Sequence, residues 1–600
     1  MQINPSRAAV AAFLTITLII PVIGLGAEPI VVTATRTAQN VERSLVSTAV
    51  ITREDIQNSH APSVTDLLRS ITGVEVSSYG GPGQTTSIFI RGAESDHTLV
   101  LVDGVRLNPA TIGTAAIQNI PVDMIERIEI SMGPRSTLYG SDAIGGVIQI
   151  FTRKGELTEA GWRFGSYDTH QVSGSLHGRT DTVHYGIDLA GTRSDGFPAR
   201  AEGAEDSPYR NDSLNLKLGS RFGNTTVDAG YWNSSGTTDY YDFQLTPVDQ
   251  DYRNSITSLA AVTQVGSRWT SDLKYSYFKD RIEQNQSDDY LQTGRHEIDW
   301  QNNIDLNEQN LVTAGLQVYR ENARSLSFGS GFDEDIDSFE VYAQDQFESG
   351  PHQVQAGLHY TDHSAFNGKT TGELNYGFQA TDAIRLIGNI ASGFRAPSST
   401  DRFGFGGNPK LDPETSVYAE LTGRYHPSPA QHAHLTLFQN NIDNLISFVD
   451  PDGFDRPLPG MNENIDKTRT RGIDLGYILR LYSFELDAGV IYQDPEDRTT
   501  GKQLPRRAKR KYTLAGRYHG SDFNLSAEAV YTGKRPDSAY SDVVLDAYTL
   551  LNLSGTKTIA NRIQLGIRFE NVTDERYQLA DGFNTAGRSV FFDIRYRDRR

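Results

Sequence analysis

The 600-residue chain contains no cysteine. This absence excludes disulfides, thiol catalysis, and zinc or iron–sulfur sites with cysteine ligands. Positive charge is also in short supply, with 56 Lys and Arg against 75 Asp and Glu and a net charge of -19. Because a surface that binds phosphates should be basic, nucleic acid is a poor partner for this chain. Clusters of acidic residues are better suited to divalent cations.

Long apolar runs are missing beyond the N-terminus, where no stretch approaches the ~20 residues of a membrane helix. The mean hydropathy of -0.45 is that of a soluble protein. A β-barrel escapes this test, because only every second residue of its strands faces lipid. The aromatic content of 10%, mostly 28 Tyr and 26 Phe, suits the aromatic girdles of such a barrel.

The first residues have the pattern of a secretory signal peptide. Arg7 supplies a weak positive charge, residues 8–20 are apolar, and Pro21 follows. Small residues up to Ala27 offer cleavage sites, so residues 1–26 are predicted to be a removed signal peptide. A membrane anchor is the alternative interpretation.

Residues 40–153 are predicted to form a compact α+β domain. Residues 63–69 have helical spacing, with Val64, Leu67 and Leu68 on one face. Short predicted strands separated by glycine-rich turns follow at 73–77, 87–91, 98–102, 125–132 and 146–152.

From about residue 155 onward, apolar residues recur at every second position. The pattern is clear in the alternation of Val183, Tyr185, Ile187 and Leu189 with polar neighbours, and it recurs through the last run at 590–596. Each run matches the ~9–11 residues of a tilted membrane strand. At roughly 20 residues per strand and turn, residues 154–600 hold about 22 strands, a size that goes with a plugged lumen.

The predicted fold is therefore a membrane β-barrel of about 22 antiparallel strands with the N-terminal α+β domain as a plug inside it. The polar partners along the strands include many charges, which a dry core would not hold but a hydrated lumen would. Soluble β domains in tandem and a solenoid are the alternatives, and no motif of fixed period supports a solenoid.

Several motifs extend this prediction to a family. They lie at residues 87–92, 99–108, 133–136 and 139–147 of the plug, and at 407–414, 506–509 and 571–577 of the barrel. On these motifs the chain resembles the TonB-dependent outer-membrane transporters and, among them, the cobalamin (vitamin B12) receptors, over residues 28–596. The resemblance implies domains at 1–26 (signal peptide), 27–39 (TonB box and linker), 40–153 (plug) and 154–600 (barrel).

The resemblance implies a TonB box, the segment that the energy-coupling protein TonB grasps. Its residues are Glu28, Pro29, Ile30, Val31, Val32, Thr33, Ala34 and Thr35. An extended segment with free backbone groups can add to the sheet edge of a partner. The β-branched side chains favour that conformation and the proline disfavours a helix. The alternative is an ordinary first strand of the plug.

Ligand contacts are also implied by the resemblance, at plug loops and at barrel loops. The matching positions are Thr85, Ser87, Glu94, Ile112, Gly113, Phe243, Arg506 and Tyr540. The plug loop that holds Ile112 and Gly113 is one residue shorter than the family pattern. Such a set suits a bulky amphipathic ligand, although ordinary loop polarity would look the same.

Two acidic loops resemble the calcium sites of the family. The matching residues are Asp195, Asp212, Tyr241, Asp242 and Asp251, while Arg210 replaces an acidic residue of the family pattern. A solvated acidic rim is the alternative. The C-terminus also departs from the family, because Tyr596 is followed by the charged residues 597–600 instead of ending the chain on an aromatic.

The function implied is TonB-dependent active transport of cobalamin or a related corrinoid across the bacterial outer membrane. The expected partners are TonB with its inner-membrane energising complex, outer-membrane lipid and the barrel-insertion machinery, and the expected state is a monomer. A ferric-siderophore or haem receptor, and a passive porin or adhesin, are the alternatives. An enzyme is not expected, because neither a Gly-x-Ser-x-Gly nor a His-Glu-x-x-His motif is present.

The plug motifs are expected to be structural. Arg91, Arg106, Arg127 and Arg135 are predicted to pair with Asp103, Glu126, Glu129 and with carboxylates of the lumen. Hydrated ion pairs of this kind would hold the plug and still yield to a directed pull.

Overall fold

The computed structural model describes residues 31–32, 36–327, 329–449 and 460–598. The predicted signal peptide, six TonB-box residues (Glu28, Pro29, Ile30, Thr33, Ala34 and Thr35) and the last two arginines lie outside the described residues. Within the described ranges, no helix is long and apolar enough to cross a membrane.

The elements of the plug, together with the N-terminal strands, are β1 Val31–Val32, β2 Gln39–Asn40, β3 Thr48–Ile51, α1 Arg53–Ser59, α2 Val64–Arg69, β4 Val74–Ser78, β5 Thr86–Ile90, β6 Thr98–Val102, β7 Val105–Arg106, β8 Ile125–Met132, α3 Ser136–Tyr139 and β9 Gly146–Thr152. The plug is built on a five-stranded sheet with strand order β3-β8-β9-β6-β7, in which β6 and β9 are parallel.

Helix α2 begins where its sequence predicts. The side chain of Ser63 accepts a hydrogen bond from the backbone N–H of Asp66 and so caps the first turn. The apolar face formed by Val64, Leu67 and Leu68 is buried in the core of the plug. The helical spacing of these three residues therefore reflects their packing.

The barrel is closed, because its first strand pairs with its last strand. Its 22 antiparallel strands are β10 Leu157–Gly165, β11 Thr169–Arg179, β12 Val183–Ser194, β13 Tyr209–Phe222, β14 Thr225–Tyr241, β15 Pro247–Val265, β16 Trp269–Gln284, β17 Tyr290–Asp305, β18 Asn310–Ser327, β19 Ser330–Ser349, β20 His352–His363, β21 Phe366–Thr381, β22 Ile384–Arg395, β23 Glu414–Ser428, β24 Gln431–Val449, β25 Met461–Leu481, β26 Phe484–Asp497, β27 Arg510–His519, β28 Phe523–Thr532, β31 Tyr548–Ile559, β32 Ile563–Glu570 and β33 Ser589–Asp598. The predicted plugged barrel is confirmed.

In the part of the chain that the structure describes, three short elements lie in the connections between barrel strands. Helix α4 (Ser399–Phe403) follows β22, and the two-residue strands β29 (Arg535–Pro536) and β30 (Val544–Leu545) pair within the connection between β28 and β31.

Apolar and polar residues alternate along the barrel strands because successive side chains face opposite sides of the wall. On β12, Ile187 and Leu189 are 40% and 54% exposed on the outer face, whereas Asp188 between them is fully buried on the inner face. The carboxylate of Asp188 bonds Nε2 of His177 at 2.8 Å. Alternate residues therefore meet lipid and a polar interior.

The two ends of the barrel differ in the length of their connections. One end has two-residue turns such as 223–224 and 382–383, and the other has long loops such as 195–208, 396–413 and 571–588. The start of the plug lies at the short-turn end, where Arg43 pairs with Glu348 and Arg424 donates to the carbonyl of Ser44 at 2.8 Å. Since barrels of this type have short periplasmic turns, the N-terminal segment faces the periplasm.

The predicted arginines divide into two groups. Arg91 pairs with Glu420 and with Asp474 (3.0 Å), both on the barrel. Arg135 pairs with Glu373 of the barrel at 3.1 Å.

The other two arginines pair within the plug. Arg127 pairs with Glu129 at 2.7 Å, as expected. Arg106 pairs at 2.8 Å with Asp142, which was not among its predicted partners. The carboxylate of Asp103 instead pairs with Lys217 of the barrel at 2.9 Å. The ion pairs thus serve both the plug itself and its attachment to the wall.

The substitution Arg91→Gln should loosen the plug. It leaves Glu420 and Asp474 as buried carboxylates without their cation, a change that costs on the order of 3–5 kcal/mol. Arg43→Gln is the matched control, because it removes a plug–barrel ion pair whose side chains are 58% and 47% exposed; such pairs contribute about 0–1 kcal/mol. Hydrogen exchange of the plug amides should accelerate strongly in the first variant only. Equal exchange in both variants would contradict the role of Arg91.

Candidate ligand-binding site

The first plug loop at the extracellular end joins β4 to β5 and comes very close to the barrel wall. Gly83 lies in this loop with φ +76, and a Cβ atom there would lie 2.1 Å from the ring of Tyr209. Thr85 is exposed at the end of the loop, and Ser87 is half-buried in β5. The predicted contact Thr85 therefore lies on a loop whose position requires glycine, and Ser87 lies in the strand that follows this loop.

The second plug loop is fixed by a side-chain amide. Asn108 accepts from the N–H of Val100 at 2.8 Å and donates to the carbonyls of Thr98 at 3.0 Å and Gly113 at 2.8 Å. Gly113 has φ +71, and the adjacent Ile112 is 36% exposed. These two predicted contacts occupy a rigid turn that presents an apolar side chain.

Arg506 extends from the barrel to the plug. Its guanidinium lies 4.8 Å from the centre of the Tyr79 ring and donates to Oδ1 of Asp537 at 3.1 Å. Tyr79 itself contacts Phe583 edge to face, with ring centres 4.8 Å apart. The predicted residue Arg506 is therefore part of a plug–barrel contact and carries a carboxylate partner.

Glu94 is the partner of the neighbouring arginine. Its carboxylate pairs with the guanidinium of Arg507 at 2.6 Å, and the same guanidinium lies 4.5 Å from the ring centre of Phe89. Burial disfavours the charged carboxylate, but the guanidinium outweighs it and holds the pKa of Glu94 below its usual range. Both arginines of this surface are thus neutralised by carboxylates of the same chain.

Large aromatic side chains lie around the rim. Phe243 is 97% exposed, and Tyr540 is 62% exposed and donates to the carbonyl of Phe448. Phe405, 75% exposed, stacks on Phe448 with ring centres 5.9 Å apart. Phe243 and Tyr540 were predicted contacts. Sequence reasoning missed Phe405, although its position among the glycines of residues 404–407 was a usable signal.

A buried polar network ties the plug to the barrel below these loops. Nδ1 of His97 accepts from the N–H of Glu94 at 3.1 Å, so its Nε2–H faces the carboxylate of Glu414. Arg395 pairs with Glu414 at 2.9 Å and with Asp96 at 3.2 Å. The sequence offered no sign of this network, because its members come from distant parts of the chain.

Two of the predicted calcium ligands, Asp212 and Asp242, hold strong partners from their own chain. Asp212 is bound by Arg193 and Arg210, each at 3.1 Å. Asp242 accepts from the N–H groups of Gln244 and Thr246 at 2.8 Å.

The remaining three predicted ligands lie on nearby loops and strand ends. Asp251 accepts from the hydroxyl of Thr237 at 2.6 Å, the Tyr241 hydroxyl donates to the carbonyl of Glu205 at 2.7 Å, and Asp195 is exposed. Across the described residues, these carboxylates do not form a group of three whose ligand atoms lie within 4.8 Å of one another.

The comparisons with known proteins agree with this architecture. The family model "TonB dependent receptor-like, beta-barrel" matches residues 157–572, and the "TonB-dependent Receptor Plug Domain" matches residues 40–147. The chain belongs to the TonB-dependent receptor family. It is an outer-membrane transporter that works with TonB on a transported ligand, and it is not an enzyme.

Among curated proteins, the chain is 30% identical over 590 residues to the Vitamin B12 transporter BtuB of Photobacterium profundum, covering 95% of each chain. It is 29% identical over 598 residues to that of Vibrio vulnificus, again covering 95% of each.

Among solved structures, the siderophore receptor PirA from Acinetobacter baumannii superposes with a TM-score of 0.80 at 18% identity, covering 92% of this chain and 98% of the other. The FrpB iron transporter from Neisseria meningitidis does so with a TM-score of 0.80 at 14% identity, covering 92% and 99%. At these identities the likeness concerns the fold alone.

The substitution Gly83→Ala should displace the first plug loop. The new methyl group would overlap the Tyr209 ring, and overpacking of this kind costs about 1–3 kcal/mol in addition to the backbone strain. Gly155→Ala is the matched control, because Gly155 also has positive φ but nothing lies within 4 Å of its Cβ position. Hydrogen exchange of residues 79–85 should rise only in Gly83→Ala. A rise of similar size in β10 of the control would mean that strain alone accounts for the effect.

Proposed function

We propose that the transported ligand is cobalamin or a closely related corrinoid. The observation that carries this proposal is the charge state of the contact between the barrel and the extracellular loops of the plug, where Arg506 and the buried Arg507 of the barrel are each paired with a carboxylate. The full-length similarity to proteins named Vitamin B12 transporter supports the same ligand class.

Neutralised arginines argue against the main rival ligands. Ferric siderophores and haem are anionic, and a site for them should offer cations that are free to pair with the ligand. Here both guanidiniums are already occupied by carboxylates, while exposed aromatic rings lie at the extracellular rim and Thr85 and Ser87 offer hydroxyl groups. Rings that cover apolar faces and hydroxyls that bind polar edges suit a large, amphipathic, weakly charged ligand.

Passage of such a ligand requires the plug to move. A polar cavity of about 230 Å³ lies between plug and barrel, lined in part by Arg36, Arg106, Lys274 and Asp299. Sites for drug-sized ligands already need ≈300–1,000 Å³. This cavity is too small for the proposed ligand, and we infer that the ligand crosses after force on the N-terminal segment has rearranged the plug.

Calcium is the second part of this proposal. Asp195, Tyr241, Asp242 and Asp251 lie at the extracellular loops and strand ends and offer oxygen atoms, the ligands that Ca²⁺ prefers. Asp212 does not fit this role as it stands, because Arg193 and Arg210 occupy its carboxylate. The bound ion would stiffen the loops around the ligand and so strengthen its binding.

Calorimetry with cyanocobalamin and the detergent-solubilised full-length protein tests both parts. Tight binding that weakens in EGTA is expected, with little heat from a ferric catecholate or haemin. Binding of the ferric catecholate or haemin instead of cyanocobalamin would contradict the proposal that the ligand is a corrinoid.

The double variant Asp242→Ala/Asp251→Ala separates calcium from cargo. It should retain weaker, calcium-independent cyanocobalamin binding and lose calcium by elemental analysis. If the variant keeps the calcium content and the cyanocobalamin affinity of the wild type, the proposed calcium site is wrong, whereas the proposal that cobalamin is the ligand stands.

A further inference from the structure

Two imidazoles and a carboxylate meet at the periplasmic mouth of the barrel, far from the ligand-binding surface. His426 lies near the end of β23, His432 near the start of β24, and Glu42 in the N-terminal segment of the plug. One ligand atom from each lies within 4.8 Å of the other two, and within the described ranges this is the one group of three potential metal ligands so close together.

The hydrogen bond of His432 fixes which nitrogen is available. Its Nε2 lies 3.0 Å from the carbonyl oxygen of Pro429, which can only accept, so Nε2 carries the hydrogen. In the neutral ring Nδ1 then presents its lone pair, and it points at the Glu42 carboxylate, 3.6 Å away. A lone pair that faces a carboxylate is repelled by it, and either a proton on Nδ1 or a metal ion bound by both groups removes that repulsion. The carbonyl contact is the kind of outer-shell bond that orients histidines bound to a metal.

We propose that Glu42, His426 and His432 bind a divalent transition metal ion such as Zn²⁺. Zn²⁺ binds imidazole nitrogen and carboxylate oxygen at about 2.0–2.2 Å, and three protein ligands with a water molecule complete a tetrahedral site. Ligand atoms of such a site lie roughly 3.3 Å apart, close to the 3.6 Å between Glu42 and His432. Glu42 is half exposed and closes the remaining distance by side-chain rotation.

The proposed metal site connects the N-terminal segment of the plug to the barrel wall. Glu42 lies between the proposed TonB box and β3, the first strand of the plug sheet, whereas both histidines belong to the wall. The same segment is already held by Arg424, which donates to the carbonyls of Val41, Glu42, Ser44 and Val46 at 2.8–3.3 Å. A bound metal adds a crosslink from a plug side chain to the barrel on the path along which TonB pulls.

Zinc titration of the full-length, chelator-stripped protein tests the site. One Zn²⁺ per chain should bind in the micromolar range or tighter, and His426→Ala/His432→Ala should abolish binding. Glu42→Gln, a substitution at a half-exposed side chain, should weaken it by at least the factor on the order of ten that loss of an outer-shell partner already costs. His184→Ala is the matched control: this histidine also lies near a short turn and pairs with Asp228 at 2.6 Å, without a second imidazole.

A second measurement tests the crosslink. Zinc should slow hydrogen exchange of amides 41–46 in the wild type and in His184→Ala, but not in Glu42→Gln. Absence of zinc binding in the wild type, or equal binding in the double-histidine variant, would overturn the site and leave a simple imidazole–carboxylate contact. Zinc binding without any change at residues 41–46 would overturn the crosslink.

Discussion

Arg91 is buried between plug and barrel, and its pairing with Glu420 and Asp474 is the interaction on which the attachment of the plug depends most. A charged side chain that is buried must be paired, or the structure pays its full desolvation cost. The same requirement favours the observed orientation of the plug, because in it the guanidinium meets both carboxylates. Two further ion pairs attach the plug to other parts of the wall in the same way, Arg135 with Glu373 and Asp103 with Lys217.

Ion pairs suit a plug that must be displaced. When an apolar interface separates, the free energy of burial is lost in proportion to all the apolar area that water reaches. Polar contacts can instead be replaced one at a time by hydrogen bonds to water as the plug moves. The inner face of the wall is polar at positions such as Asp188, so water that enters as the plug moves finds polar groups to bind. The wall outside remains apolar, so displacement of the plug leaves the barrel intact.

The proposed ligand-binding surface and the N-terminal segment that TonB is proposed to pull lie at opposite ends of the same domain. The aromatic rim and the Arg506–Tyr79 contact lie on the extracellular side, while Arg424 and the proposed metal site hold residues 41–46 on the periplasmic side. Val31 and Val32, the described part of the proposed TonB box, already pair as a strand with Asn40 and Gln39. A strand of TonB would therefore meet a segment whose backbone is already extended, as addition to a sheet requires.

The fold could be predicted closely because its signals are local. Strands β6, β8 and β9 have the predicted bounds, and the period of two identifies the wall before any contact is known. Partners across the plug–barrel contact could not be predicted in the same way. Asp142 as the partner of Arg106, and His97 with Glu414, come together only through the three-dimensional fold. The occupation of Asp212 by two arginines is equally invisible in the spacing of the acidic loops.

The most direct test of this account is to delete residues 28–35 and to measure surface binding and uptake of radiolabelled cyanocobalamin in the same cells. Pulling on the N-terminal segment is the step that opens the path, so the deletion should leave surface binding unchanged and abolish uptake. Uptake at the wild-type rate in the deletion strain would contradict the account, because the ligand would then cross the barrel without force on the plug.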